Sequence, residues 1–182
     1  NQLSKEYGSN EVPFIYAETS FRNKTETDAE NNLIRSTLEI SAAMIGGADA
    51  VFSNNFRVVN NTELSEEISF KQQIVLAYES IVNVFDDAAN GSYFVEDCTQ
   101  QFAKEAWKYF LKIEENEGYS AYFQNINKDI LAHSKVEHQW VEDGKIKLVG
   151  CNIYPKQETK KAVKELYLSD ELQDVRWSEI YE

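Results

Sequence analysis

Two apolar runs, Phe14 to Ser20 and Ala48 to Phe56, flank a stretch with helical spacing, and this unit constrains the fold more than anything else in the chain. Val12 to Ala17 is short and largely apolar, as suits a strand buried on both faces, and Glu18 to Glu26 follows as a polar loop. Thr27 and Glu30 have the spacing of a capping box, which places a helix start there. The apolar residues Leu33, Ile34, Leu38, Ile40, Ala42, Met44 and Ile45 spread around most of that helix, which predicts packing against more than one neighbour. Gly46-Gly47 ends it, and Ala48 to Phe52 forms a second strand. Two strands joined through a helix pair in parallel with a right-handed crossover. Function, where such a unit has any, gathers at the C-terminal strand ends, here Glu18 to Ser20 and Phe52 to Asn55.

Helices dominate the remainder, so the expected class is a helix-rich α/β fold. Thr62 to Ser80 opens with Glu63, Glu66 and Glu67, where the helix dipole favours acidic groups. Val95 to Glu115 carries Phe102, Ala106, Tyr109, Phe110 and Ile113 at core-stripe spacing. Ser120 to Trp140 ends at the turn Asp143-Gly144, and Lys145 to Val149 reads as a short extended piece. Helices over Glu158 to Tyr167 and Ser169 to Tyr181 complete the chain, with Ser169 as N-cap.

Charge and cysteine content exclude several classes of function. Eighteen basic against 31 acidic side chains leave a net charge of −13, which repels nucleic-acid phosphates and anionic lipid headgroups. The densest basic segment, Lys156, Lys160, Lys161 and Lys164, is diluted by Glu158 and Glu165 and reads as a solvated helix face. Cys98 and Cys151 are isolated, giving neither a disulfide framework nor a zinc spacing. No run of about 18 apolar residues or charged leader is present, so a soluble protein of the reducing cytoplasm is expected. The first residues read as the tail of a helix ending at Gly8, as in an excerpt from a longer protein.

Several collinear segments carry a resemblance to a known family. Asp28-Ala29-Glu30-Asn31-Asn32-Leu33-Ile34-Arg35-Ser36-Thr37 is similar to the D-P-Y-N-N-x-x-R-T segment of the adenosylcobalamin-dependent acyl-CoA mutases, above all methylmalonyl-CoA mutase. Gly46-Gly47-Ala48-Asp49-Ala50-Val51-Phe52-Ser53-Asn54 resembles G-G-x-x-S-L-H-T-N. Glu79-Ser80 matches E-S, the segment from Asp87 to Glu96 resembles D-P-W-G-G-S-Y-Y-V-E, and Val149-Gly150-Cys151-Asn152 resembles V-G-V-N. The resemblance implies the C-terminal part of a (β/α)8 TIM barrel, contributing its last two parallel strands, followed by linker helices. Residues 1–95 would be barrel, and residues 96–182 a helical region leading toward a cobalamin-binding-like domain.

The departures from the family pattern define the functional expectation. Catalytic members read R-x-H-x-Q-T-S along the first strand, where this chain has Phe14, Tyr16 and Glu18 before the matching Thr19 and Ser20. Residues 14, 16 and 18 share one face of a strand, which in a barrel is the interior, so bulky aromatics there fill the acyl-CoA tunnel. The histidine of H-T-N is Phe52, the threonine is Ser53, and the acidic pair that follows is Arg57-Val58. Of the family's adenosyl-holding asparagine and glutamate only Asn54 survives, the one candidate cofactor-binding residue; its plainer reading is a turn residue satisfying loop backbone. The helix reading R-I-A-R-N-T-Q becomes Glu67 to Gln73, with Ile68 and Gln73 retained. Nothing resembles the D-x-H-x-x-G cobalamin motif, and His133 and His138 are five apart, off a common helical face.

No catalytic residue and no metal ligand are therefore expected. The pattern resembles the silent small subunit of the heterodimeric mutases, with adenosylcobalamin held by a large-subunit partner. The alternatives are an active mutase on a different acyl-CoA, with Tyr16 and Glu18 redefining the pocket, and a helical protein-interaction module. Glu18 itself reads as a general base or as an ion-pair partner of Arg22, the latter preferred. Trp107, Trp140 and Trp177 read as packing or interface anchors. As an isolated fragment the two strands leave exposed edges, so self-association or repacking is expected.

Overall fold

The computed structural model describes residues 2–84, 88–155, 163–167 and 171–182. A short helix α1 (Gln2–Glu6) precedes strand β1 (Tyr16–Glu18), helix α2 (Asn31–Ile45) and strand β2 (Ala50–Phe52). Helices α3 (Glu63–Tyr78), α4 (Tyr93–Glu115), α5 (Tyr119–Glu142) and α6 (Val163–Leu166) follow, with a 3-10 helix at Trp177–Ile180. The fold is a helix-rich α/β arrangement around a two-stranded parallel sheet.

The two strands are parallel as expected, in the register Tyr16 with Ala50, Ala17 with Val51 and Glu18 with Phe52. At one end the Asp49 carboxylate accepts the Ile15 amide at 2.7 Å, and at the other Thr19 N–H donates to Phe52 O at 3.1 Å. Both strands are shorter than the apolar runs predict. Phe14 and Tyr16 are exposed rather than buried on both faces: α2 packs on both strands and α3 on β2, and these two side chains are left uncovered.

Helix α2 starts later than Thr27. The amides of Asn31, Asn32 and Leu33 reach back three residues to Asp28, Ala29 and Glu30 carbonyls at 3.0 to 3.1 Å. Glu30 is already in the helical region, at φ −63°, and makes no side-chain cap, so the expected capping box is replaced by a tight turn. The predicted end holds: Gly46 is the C-cap and Gly47 takes φ +80°. The buried residues of α2 are Asn32, Ser36 and Ile40, whereas Ile34 and Leu38 lie exposed, so described neighbours cover one side only. Helix α3 has a capping box of its own. Thr62 Oγ1 accepts the Ser65 amide at 3.1 Å, and Ser65 Oγ accepts the Thr62 amide at 3.0 Å.

Helices α4 and α5 form a hairpin linked through Glu117 and Gly118, both at positive φ. The expected core stripe of α4 does not close a core: no α4 residue is buried, and Phe102 stays exposed. Its periodicity is amphipathic as read, but among the described residues α5 is the one element packed on it. The core of this half lies on the other side of α5, among Leu131, Val141, Leu148, Cys151, Tyr167 and Ile180. The Asp143-Gly144 turn ends α5 as predicted, and the extended piece reduces to a bridge between Val149 and Ile153. Of the Glu158 to Tyr167 helix, Val163–Leu166 is observed and residues 156–162 lie outside the described residues. Ser169 also lies outside them. The helix expected to run on to Tyr181 is corrected: residues 172–176 are irregular and only Trp177–Ile180 is helical.

Candidate functional site

At the strand ends the two candidate loops are bonded to each other. Thr19 Oγ1 accepts the Asn54 amide at 2.9 Å, and Asn54 Nδ2 donates to Thr19 O at 2.6 Å. The Asn54 side chain is thus engaged in joining loop backbone. Ser53 Oγ donates to Gln72 Oε1 at 3.2 Å, and Gln72 Nε2 donates to Leu33 O and Thr37 Oγ1 at 2.8 and 2.9 Å. One α3 side chain therefore ties β2 to α2. Between the sheet and α2 the remaining space is about 10 Å³, with Ala17, Thr19, Glu39, Ile40, Ala43 and Val51 among its lining residues. That is at or below what one water occupies.

The positions that depart from the family pattern lie on the other face. Phe14 is 73% exposed, Tyr16 55% and Phe52 45%. Glu18 accepts a hydrogen bond from Tyr16 Oη at 3.2 Å, and desolvation first, then that neighbouring carboxylate, raise the Tyr16 pKa. The expected pairing of Glu18 with Arg22 is not made, because Arg22 points to α5 and bonds Glu137.

The segment Asp28 to Thr37 turns out to be a set of loop clamps. Asn32 is fully buried: its Oδ1 accepts the Thr25 amide at 3.0 Å, and its Nδ2 donates to Thr25 O and Phe56 O, each at 2.8 Å. Because Thr25 follows β1 and Phe56 follows β2, one amide fixes both strand-end loops. Arg35 donates to Asn32 Oδ1 at 2.7 Å, to Thr25 Oγ1 at 3.2 Å and to Val149 O at 2.8 Å. Gly150, at φ +88°, leaves a position where a Cβ would lie 3.0 Å from Asp28 Cβ. The V-G-x-N segment is thereby docked on the N-N-x-x-R segment. Asn152 closes its own turn, accepting Leu148 N–H at 2.6 Å and donating to Val141 O and Ile146 O at 2.8 and 2.7 Å.

Glu39, one helical turn beyond Arg35, gathers the loop after β1. It accepts from the Ser20 amide at 3.0 Å, Asn23 Nδ2 at 2.7 Å and Lys24 Nζ at 2.6 Å. Lys24 is 1% exposed, and burial lowers its pKa while Glu39 opposes the shift. Sequence reasoning assigned no role to Asn32, Arg35 or Glu39. A usable signal existed, since Asn32, Ser36 and Ile40 follow one another at four-residue spacing and place polar groups on the buried stripe.

Both histidines lie on α5. His133 Nε2 is 3.1 Å from Glu137 Oε1. His138 is buried, with Nε2 3.0 Å from Arg176 O and Nδ1 near both Ser134 O and Tyr167 Oη. Among the described residues Nε2 faces the Arg176 carbonyl, to which it donates. Burial pushes the Cys151 thiol up to about 11. Among the described residues no group of three or more His, Cys, Asp or Glu is arranged to hold a metal ion, and no helix is long and apolar enough to cross a membrane.

The profile of the methylmalonyl-CoA mutase family matches residues 4–182. The methylmalonyl-CoA mutase small subunit of Porphyromonas gingivalis is 34% identical over 163 residues, covering 85% of this chain and 26% of the relative. The probable methylmalonyl-CoA mutase small subunit of Mycobacterium tuberculosis is 30% identical over 148 residues, 78% of this chain and 24% of the relative. The methylmalonyl-CoA mutase of Escherichia coli is 31% identical over 143 residues, 76% of this chain and 20% of the relative. The chain thus spans about a quarter of the length of the small subunits it matches.

Proposed function

The chain belongs to the methylmalonyl-CoA mutase family, and we propose that it is part of a catalytically silent small subunit. Its strands complete a (β/α)8 barrel with segments from the rest of the polypeptide, residues 1–95 being barrel and residues 96–182 the linker helices. The subunit pairs in the cytoplasm with a large subunit that interconverts methylmalonyl-CoA and succinyl-CoA by radical chemistry.

The carrying observation is the division of labour among the family-like residues. Those that match, Thr19, Asn32, Arg35, Asn54, Gly150 and Asn152, are engaged in holding loops together or in the close packing of one loop on another. Those that depart, Phe14, Tyr16, Glu18 and Phe52, fall on one open face of the sheet, where catalytic members carry Arg, His, Gln and His. A single preorganised donor of this kind contributes roughly 3 to 4 kcal/mol to barrier lowering, so losing four removes useful turnover. Scaffold has been kept while reactive groups have been lost.

Adenosylcobalamin does not fit the residues present. Both nitrogens of His138 are bonded within the chain, and the Asn54 amide is committed to Thr19 O. The cofactor belongs to the large subunit, and no step of its chemistry involves this chain.

Mixing the full-length subunit with its purified large subunit, and assaying succinyl-CoA formation for each alone and together, tests the proposal. Co-elution with activity in the large subunit or the mixture is expected. Turnover by this subunit alone, or by its complex with an inactivated large subunit, would overturn it.

A further inference from the structure

The segment Arg176 to Glu182 lies between the loop after β1 and helix α5, and it is bonded to both. On the loop side Trp177 N–H donates to Arg22 O at 2.9 Å and Ser178 Oγ to Lys24 O at 2.8 Å. Glu26 N–H donates to Glu182 Oε1 at 2.6 Å, and Arg176 reaches Glu26 and Glu182 at 2.8 and 2.9 Å. On the helix side His138 Nε2 holds Arg176 O at 3.0 Å and Trp177 Nε1 donates to Glu137 at 3.3 Å. Glu137 also takes Arg22, whose guanidinium lies 5.6 Å from the Trp177 ring centroid.

The bonds to Glu26 lie at the surface, and the Ser178 bond to Lys24 O lies beneath them. Ser178 and Ile180 are fully buried, and so are Lys24 and Thr25 beneath them. From Lys24 the bonding continues inward. Glu39 joins Lys24 to the Ser20 amide, Asn32 joins Thr25 to Phe56, and Thr19 joins Asn54. A run of hydrogen bonds, joined through neighbouring residues of the loop and buried at Ser178, Thr25 and Asn32, therefore links α5, through the strap, to both strand ends.

We infer that Arg176–Glu182 is a strap that makes the loop after β1 and the α5 face one cooperative unit, so that detaching it from either side loosens the strand-end loops. Buried polar networks lose their bonds together, since each orphaned group bears a desolvation penalty that favours opening its neighbour. The unit is a local opening event, separate from global unfolding. It couples the helical half of the chain to the strand ends without any change in the sheet itself.

Residue-resolved amide exchange on the full-length subunit tests this with Ser178→Ala, which deletes the strap-to-loop hydroxyl. Exchange at the Thr25, Glu26 and Asn54 amides is expected to rise together by about tenfold, with the central α3 amides unchanged. Asn54 is the telling reporter, since its amide bonds Thr19 and nothing in the strap. Faster exchange confined to the strap and Glu26, or an equal rise through α3, would overturn the inference. Glu182→Gln, which keeps the shape and removes the charge facing Arg176, gives the same readout should Ser178→Ala fail to fold.

Discussion

Arg35 on α2 donates to the main-chain carbonyl of Val149 at 2.8 Å, 114 residues downstream. The same guanidinium holds Asn32 and Thr25, so one side chain joins the strand-end loops to the turn that follows α5. Desolvation lowers its pKa, but arginine stays charged far below that range, so each of these bonds is charge-assisted.

Arg35→Ala should therefore destabilise the subunit by about 2 kcal/mol, the range for hydrogen bonds to a charged group. Arg35→Lys should recover less than half of it, since an ammonium cannot present two forked donors to acceptors on two elements. Urea denaturation of the three proteins measures both. Equal stability of the Lys variant and the parent would show that charge alone matters.

Gly150→Ala and Gly144→Ala form an informative pair. Both glycines have positive φ, +88° and +72°, but a Cβ at Gly150 would lie 3.0 Å from Asp28 Cβ, whereas nothing lies within 4 Å at Gly144. The conformational cost, about 1 kcal/mol, is common to both. A larger loss at Gly150 in thermal unfolding is expected, and the excess reports the packing of the V-G-x-N turn on α2.

Local signals were legible where one residue type suffices. Gly46-Gly47 ended α2, Asp143-Gly144 ended α5, and the apolar runs marked a parallel strand pair. The Thr27 and Glu30 pattern misled because the turn from Asp28 supplies the first acceptors of α2 from its backbone. The stripe of Phe102, Tyr109 and Phe110 misled differently, since periodicity reports an amphipathic helix but not whether a partner covers it. At the site, the common face of Phe14, Tyr16 and Glu18 followed from strand alternation, but its exposure did not, since the apolar run read as a strand buried on both faces. Asn32 and Glu39 escaped because their bonds go to backbone of distant loops, which no local spacing encodes.

The two thiols should differ in reactivity and in their pH linkage. Cys151 is 1% exposed and Cys98 partly exposed, so an aromatic disulfide reagent at pH 8 should label one thiol of the native protein rapidly and both after denaturation. Burial raises the Cys151 pKa from 9.0 to about 11. The folded state thus holds its proton where the unfolded chain has lost it. That stabilising contribution is complete below pH 9 and is lost as pH rises through about 11. Cys151→Ala should flatten the alkaline limb of the stability curve.

Asn54→Ala tests whether the surviving family asparagine acts on structure or on cofactor. Its amide bonds Thr19 O, so truncation should cost about 1 kcal/mol of stability. The apparent affinity of the assembled complex for adenosylcobalamin should stay within twofold. A tenfold weaker affinity with unchanged stability would return Asn54 to a nucleoside-binding role.

The sheet face carrying Phe14, Tyr16 and Phe52 gives the sharpest test of the proposed barrel. In the chain described, these side chains have little around them, and Phe14 is 73% exposed, so Phe14→Ala would cost under about 1 kcal/mol. Enclosed by the remaining strands of a barrel, the same ring lies inside a packed interior, where removing a buried phenylalanine costs about 3 to 5 kcal/mol. The barrel proposal therefore predicts a loss of about 3 kcal/mol or more for Phe14→Ala in the full-length subunit, measured by chemical denaturation. A loss below about 1 kcal/mol would mean that this face stays open in the intact protein, and the aromatics would then fill no tunnel.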